Sequence, residues 1–430
     1  MNDQLKTRIE SYFDRLWPIH RSLAGQGFRE SLGIIGEIMP LEKLRFETGR
    51  KVLDWFVPKE WKIEDAYFID PAGVKHADVK KNNLHLVSYS ILFKGKVRLQ
   101  ELLEHLHTLP EQPEAIPYVT SYYHEYWGFC ISHNELKSLI DGEYEVIINS
   151  ELYPGVVEIG ETVLPGDTHE EVLFSTYLCH PSMANNELTG PLVMAFLYEL
   201  IKSMKIRRYT YRFVVVPETI GTICYLSTRG DHLIEHMVAG YQMTCLGDEG
   251  SFTYKLSRRE DSLGDRAAKL ILRDNSTHKI VCFDPGNGSD ERQYCSPGYN
   301  LPMGSLMRTM YSRYPEYHTS LDNKEFISFD AMCESIKIAF EIVKALESNF
   351  IWKNTVKFGE PQLGRRGLYP TIGTERECTE KVKAIMWFLN LSDGNHDLFK
   401  IAERSGISVN LLQTACEELY QKGLLVKKEK

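Results

Sequence analysis

The sequence predicts an α/β protein, a central mixed sheet with helices on both faces, carrying an inserted mostly β domain and a C-terminal helical unit. Three observations carry that reading. Apolar strand-like runs alternate with helically spaced ones over residues 158–348, an aromatic and β-branched stretch over 51–150 interrupts the pattern, and a helix, turn, helix and strand pattern closes the chain.

In chain order, Leu5, Ile9, Phe13 and Leu16, then Leu32, Ile35 and Ile38, fall at helical intervals, and Ala24-Gly25-Gln26-Gly27 separates the two helices. From Val52 the texture changes to runs such as WKIEDAYFID and EYEVIINSEL, punctuated by Pro71-Ala72-Gly73 and Asp141-Gly142 as strand turns would be. The tyrosines of this insert and its Trp127 are expected to fill its own core rather than line a ligand groove. Strands are expected at VLFSTYL, YRFVVVP, MVAGYQMTCLG and KIVCFDP, with helices near 191–202, 221–236 and 328–346. Residues 349–375, with Pro361 and Pro370, read as a connecting segment packed on the main domain. The expected units are thus a discontinuous catalytic domain (1–50 and 151–375), the insert (51–150) and a C-terminal unit (376–430).

That last unit resembles a winged helix-turn-helix domain. A DNA-reading second helix needs basic residues toward phosphate, whereas residues 409–421 carry Glu417 and Glu418 and no Lys or Arg. Packing or homo-oligomer formation, through this unit or the insert, is the expected role ahead of nucleic-acid binding. A net charge of −9 agrees, since neither nucleic acid nor anionic lipid is matched by an acidic surface. No apolar run reaches the roughly 18 residues that a bilayer requires, and the first residues lack the apolar centre of a signal peptide, so no membrane is expected. Nine scattered cysteines do not form a disulfide framework, which points to a reducing cytoplasm.

Four places put acid/base or metal-competent side chains just past an apolar strand: His180 with Asn186 and Glu187; Glu218 after YRFVVVP; Asp248 with Glu249 after MTCLG; and His318 in SRYPEYHTSLDN. Singly, each has a bland alternative as a cap, a solvated acid or a hydrogen-bonded histidine. Together, two imidazoles and several carboxylates at different strand ends can converge above one sheet. Mixed N/O ligation of this kind suits zinc with a position left for water, and Glu218 is the candidate general base.

In order, TYLCHPSMANNELTG, VVPETIG, LGDEG, GSDERQY and EYHTSLDN resemble the motifs of the zinc aminopeptidase superfamily, the M28-like group. CHPSMANNE, DWFVPKEW, YYHEYWGFC and GRRGLYPTIG also resemble a bacterial aminopeptidase-like family with an inserted β domain and a C-terminal winged helix, associated with polysaccharide biosynthesis. The resemblance implies a zinc-peptidase-like mixed sheet, with Zn2+ held by His180, Asp248 and His318 and a small peptide or other amide as substrate. The sequence departs from the superfamily where Asn186 replaces a bridging aspartate, Thr219 a second glutamate and Glu291 a histidine. These departures imply one metal ion rather than two, and leave Asn186, Asp290 and Arg292 as substrate-contacting or supporting residues. Two readings stand: a metal-dependent amide hydrolase, and a catalytically degenerate aminopeptidase-like protein that binds a ligand or scaffolds a partner.

Overall fold

The computed structural model describes residues 2–368 and 376–428. Its centre is an eight-stranded mixed sheet. In chain order the strands are β1 (Glu42–Glu47), β2 (Val156–Leu164), β3 (Glu171–Tyr177), β4 (Thr210–Val216), β5 (Met237–Met243), β6 (Phe252–Lys255), β7 (His278–Val281) and β8 (Met303–Met307). Their spatial order is β1-β2-β4-β3-β5-β8-β6-β7. The four middle strands β4, β3, β5 and β8 are parallel, and antiparallel pairings flank them on both sides. Strand β3 is buried along its whole length, as expected of a central strand covered on both faces.

Helices α1 (Asn2–Leu16), α2 (Gln26–Gly36), α3 (Thr189–Ser203), α4 (Ile220–His236), α5 (Leu263–Asn275) and α6 (Phe329–Ser348) cover the sheet. Helix α3 packs on α6, which also meets α1 and α5, while α4 packs against β2, β5 and the short helix Glu291–Tyr294. The expected strands and helices of residues 171–348 are present. Strands β6 and β8 and helix α5 had no counterpart in the sequence reading.

The insert has its own antiparallel sheet, built from Lys75–His76, Glu60–Ile69, Glu143–Tyr153 and Phe93–Arg98. Trp127 is buried in it, stacked between His105 and Phe93. At the other end of the chain, Ile351–Asn354 pairs with Asp393–Asp397 and Leu425–Lys427. The stretch read as a connecting segment therefore supplies a strand to the C-terminal sheet. The boundary placed at 375 and part of the GRRGLYPTIG motif lie outside the described residues.

Candidate active site

Because β3 and β4 are parallel neighbours, their carboxyl ends open at the same edge of the sheet. His180 leaves β3 and Glu218 leaves β4 at this edge. The Leu178 N–H donates to the Val216 carbonyl at 3.0 Å, and the Glu218 N–H donates to the Cys179 Sγ at 3.3 Å. His180 Nε2 and Glu218 Oε2 then stand 3.5 Å apart.

Glu187, in the wide π-helical turn Ala184–Leu188 that feeds α3, grips His180 twice. One oxygen accepts the His180 backbone N–H at 2.7 Å and the other faces Nδ1 at 2.8 Å. The fully buried Arg21 donates from Nε to the His180 carbonyl at 3.1 Å. With Nδ1 committed to Glu187, Nε2 is the nitrogen that faces the cavity. Burial disfavours charge on this ring, but the Glu187 carboxylate outweighs it and holds the His180 pKa well above its ordinary value.

Glu218 is fixed from behind by Ser289, whose hydroxyl donates to Oε1 at 2.5 Å. Burial pushes the Glu218 pKa up, against the lowering effects of His180 and Ser289. The next residue, Thr219, has φ 63° and ψ −73°, and the Ile220 N–H donates to the Glu218 carbonyl at 2.8 Å. That is the rare, strained form of the γ-turn. Asp290 accepts the Thr219 N–H at 2.7 Å, and its own carboxyl is raised well above the ordinary range, first by burial and then by the charge of Glu218.

His318 arrives from the far end of the domain, with its backbone in the left-handed region at φ 57°. Its ring stacks on Tyr317 at 3.9 Å and lies 5.3 Å from the His180 ring, centroid to centroid. Burial, then the charge of His180, lowers its pKa to about 3, so the imidazole is neutral. Asp322, on the same loop, accepts the backbone N–H groups of Asn185 at 2.6 Å and Asn186 at 3.0 Å, locking the two histidine loops together.

His180, Glu218, Thr219 and His318 line one cavity of about 320 Å³. Much of its wall comes from the insert: Trp55, Tyr118, Thr120, Tyr122 and Tyr123. The expectation that the insert's tyrosines only fill its core fails here, because the segment carrying them is zipped onto the His318 loop. The Tyr118 N–H donates to the His318 carbonyl and the Ser320 N–H to the Ile116 carbonyl, each at 2.9 Å.

Asp248 is not brought to the histidines, and its assignment as a metal ligand is corrected. Its oxygens accept from the Thr309 hydroxyl (2.6 Å), the Gly250 N–H (2.7 Å) and the Asn185 amide (2.9 Å), and it lines a separate groove with Tyr314 and Glu316. The strand that precedes it instead presents Thr244, which bonds the Tyr177 hydroxyl at 2.6 Å and the Asn186 carbonyl at 3.0 Å. The Asn186 amide nitrogen donates to the same tyrosine oxygen at 2.9 Å. Arg292 turns its Nε back onto the Ser289 carbonyl at 3.2 Å and does not line the cavity. Glu291 forms a fully buried ion pair with Lys255 at 2.9 Å beneath the same loop.

For a metal, the donor set fits one ion better than two. Two imidazoles on one tetrahedral zinc have ring centroids about 5 Å apart, close to the 5.3 Å between the His180 and His318 rings, with Glu218 Oε2 beside them at 3.5 Å from His180 Nε2. The second ion of a pair needs anionic oxygens, and Asn186, Thr219 and Thr244 are neutral. Ligand atoms of Cys179, His180 and Glu187 also lie within 4.8 Å of one another, but that cluster sits behind the ring and is already closed by the contact between Glu187 and Nδ1.

Sequence reasoning missed the grip of Glu187, the support from Ser289 and Arg21, and the aromatic wall. The signal for the wall was the aromatic density of TSYYHEYWGF.

Residues 11–349 match the family described as domain of unknown function DUF4910. The chain belongs to this family. The rest, residues 350–427, matches a winged helix-turn-helix family, a span that includes the strand Ile351–Asn354. A Clostridium acetobutylicum protein named for polysaccharide biosynthesis and an aminopeptidase-like domain is 41% identical over 418 residues, 97% of this chain and 95% of its own. A crystal structure from Clostridium acetobutylicum, titled as that of a candidate peptidase, is 38% identical with a TM-score of 0.92, covering 99% of this chain and 97% of that one. Beyond these relatives, the fold is that of zinc aminopeptidases. The Bacillus subtilis zinc aminopeptidase aligns with a TM-score of 0.58 at 11% identity (80% of this chain, 94% of that one). The Shewanella amazonensis M28 peptidase precursor aligns at 0.56 and 11% (80% and 96%).

Proposed function

We propose that the protein is a metal-dependent amide hydrolase in which His180 and His318 hold one divalent ion, zinc by preference, and Glu218 is the general base. The observation that carries this reading is the convergence of His180 Nε2, Glu218 Oε2 at 3.5 Å and the neutral His318 ring on one cavity at the carboxyl edge of the sheet. When bound, the ion supplies Lewis acidity to the scissile carbonyl and to a water. The protein's own groups do the rest. Glu187 holds Nδ1 and so keeps His180 Nε2 turned toward the cavity, Ser289 holds one oxygen of Glu218, and the other takes the proton from water. Glu218 then returns that proton to the departing amine nitrogen as the C–N bond breaks. A carboxyl raised by burial suits both halves of this transfer. Eight free cysteines among the described residues agree with a reducing cytoplasm.

The test is Glu218→Gln, followed by metal analysis and turnover on an amide panel. The expected variant keeps its zinc and loses turnover by about 10²–10⁴-fold. Unchanged turnover overturns the base assignment, and loss of the metal makes Glu218 a ligand instead. A second reading, a degenerate ligand-binding site, draws on the neutral Asn186, Thr219 and Thr244. A parent protein that holds zinc and turns over none of the panel favours that reading.

A further inference from the structure

Resting on the hydrolase reading, we infer that the amide cleaved is the N-acyl group of a neutral amino sugar rather than the first bond of a peptide. The argument is the chemistry of the cavity wall. A peptide N-terminus is an ammonium and needs an anionic partner beside the scissile bond. Among the described residues Glu218 is the one carboxylate lining the cavity, and it is already engaged by Ser289 and faces His180. Among the described residues the lining likewise includes no Lys or Arg, so a phosphate or carboxylate on the part of the ring held by the insert would meet no countercharge there.

What the insert presents instead is aromatic faces together with hydroxyls. Trp55 and Tyr123 lie at 39% and 52% exposure with their rings edge to face, centroids 5.8 Å apart. Large aromatic rings left in water around a cavity are available to a ligand. A pyranose has apolar C–H faces that stack on such rings and hydroxyls at its rim. Deeper in, the Tyr118 and Tyr122 hydroxyls bond each other at 2.6 Å. That contact uses one hydroxyl proton and leaves the other for a ligand oxygen. The Tyr118 ring lies 4.9 Å from that of His180 and 5.4 Å from that of His318. A sugar stacked at the mouth thus directs its N-acyl group inward to Glu218. Water adds to the acyl carbon, the C–N bond breaks, and the nitrogen takes the proton held by Glu218, releasing a carboxylate and an amino sugar.

The experiment is calorimetric titration of the full chain, with and without added zinc, using N,N′-diacetylchitobiose, chitobiose with free amines, and the dipeptide Leu-Gly. The expected result is binding of the acetylated sugar only, weakened at least tenfold in both Trp55→Ala and Tyr123→Ala, each checked for native circular dichroism. Binding of Leu-Gly in place of the sugar overturns the inference, as does sugar affinity unchanged in both variants, or no sugar binding at all. Release of acetate in the presence of zinc is read separately. Sugar bound without acetate release sinks the hydrolase reading and leaves the ligand class standing, whereas Leu-Gly hydrolysis does the reverse.

Discussion

At the scale of the residue, Asp248 and Thr244 show how one turn decides which side chain reaches a site. Asp248 is surrounded by donors: the Thr309 hydroxyl and N–H, the Gly250 N–H and the Asn185 amide. Asp248→Asn removes the charge and turns an NH2 group toward at least one of those donors. We expect a loss of about 1–3 kcal/mol in unfolding free energy, with zinc content and turnover as in the parent. A drop in bound zinc at unchanged melting temperature returns Asp248 to the metal. His180 and Glu218 were legible as candidates because each follows the end of a continuous apolar strand, and His318 through the EYHTSLDN motif alone. Asp248 misled because the chain crosses Thr244, Cys245 and Gly247 before reaching it, and composition does not say which of these positions faces the cavity. Cys245, itself at φ 50°, redirects the backbone there. Glu187 was legible as an acid in the right loop, but its hold on the residue seven positions earlier depends on the π-helical turn, which leaves no periodic signature.

At the scale of the element, the strands that ran as continuous apolar stretches and the helices with a clear stripe were readable, and the short ones were not. Strand β8, Met303–Met307, is five residues long with a glycine inside, yet it is buried throughout and lies between β5 and β6. Nothing local marks it, because its neighbours rather than its own pattern make it a strand. The turn that ends β4 was equally silent. Thr219 there occupies a conformation that costs a β-branched residue of order 1–3 kcal/mol, sustained by Asp290 below and α4 ahead. Thr219→Gly relieves that cost and pays a smaller one in chain entropy. The expected variant is more stable by about 1 kcal/mol in chemical denaturation and slower in turnover, because Glu218 loses its fixed approach. A variant that is less stable and equally fast shows that the Thr219 side chain is held by its contacts and that the turn does not aim Glu218.

At the scale of the whole molecule, the winged helix is clamped to the aminopeptidase-like domain on the side of α5, away from the cavity, a relation that no sequence pattern carries. Arg266 reaches from α5 to Asp397 with a pair of 2.9 Å bonds and to Glu403 at 2.7 Å. Arg273 donates to the Ala402 and Ile407 carbonyls, and Asp274 accepts the Val409 N–H at 2.9 Å. That last bond occupies the start of helix Val409–Gln421, the end that a DNA-reading helix would insert into a groove. Arg266→Ala removes the shared cation from two partly buried acids. The expected cost is about 1–3 kcal/mol, read as faster hydrogen exchange across Leu398–Ser405 and Val409–Gln421 while α3 and α6 stay protected. The same contact sets a pH response. Burial alone would raise the Asp397 carboxyl, but Arg266 more than compensates and holds it below its ordinary 3.8. A folded-state value below the unfolded one adds stability above pH 3.8, and that contribution is lost as pH falls through the lower folded value. Acidification below about pH 4 should therefore raise exchange in the winged helix of the parent protein and change it less in Arg266→Ala, where the main cause of the lowering is gone. Equal acid sensitivity in the two proteins would mean that other carboxylates hold the domains together.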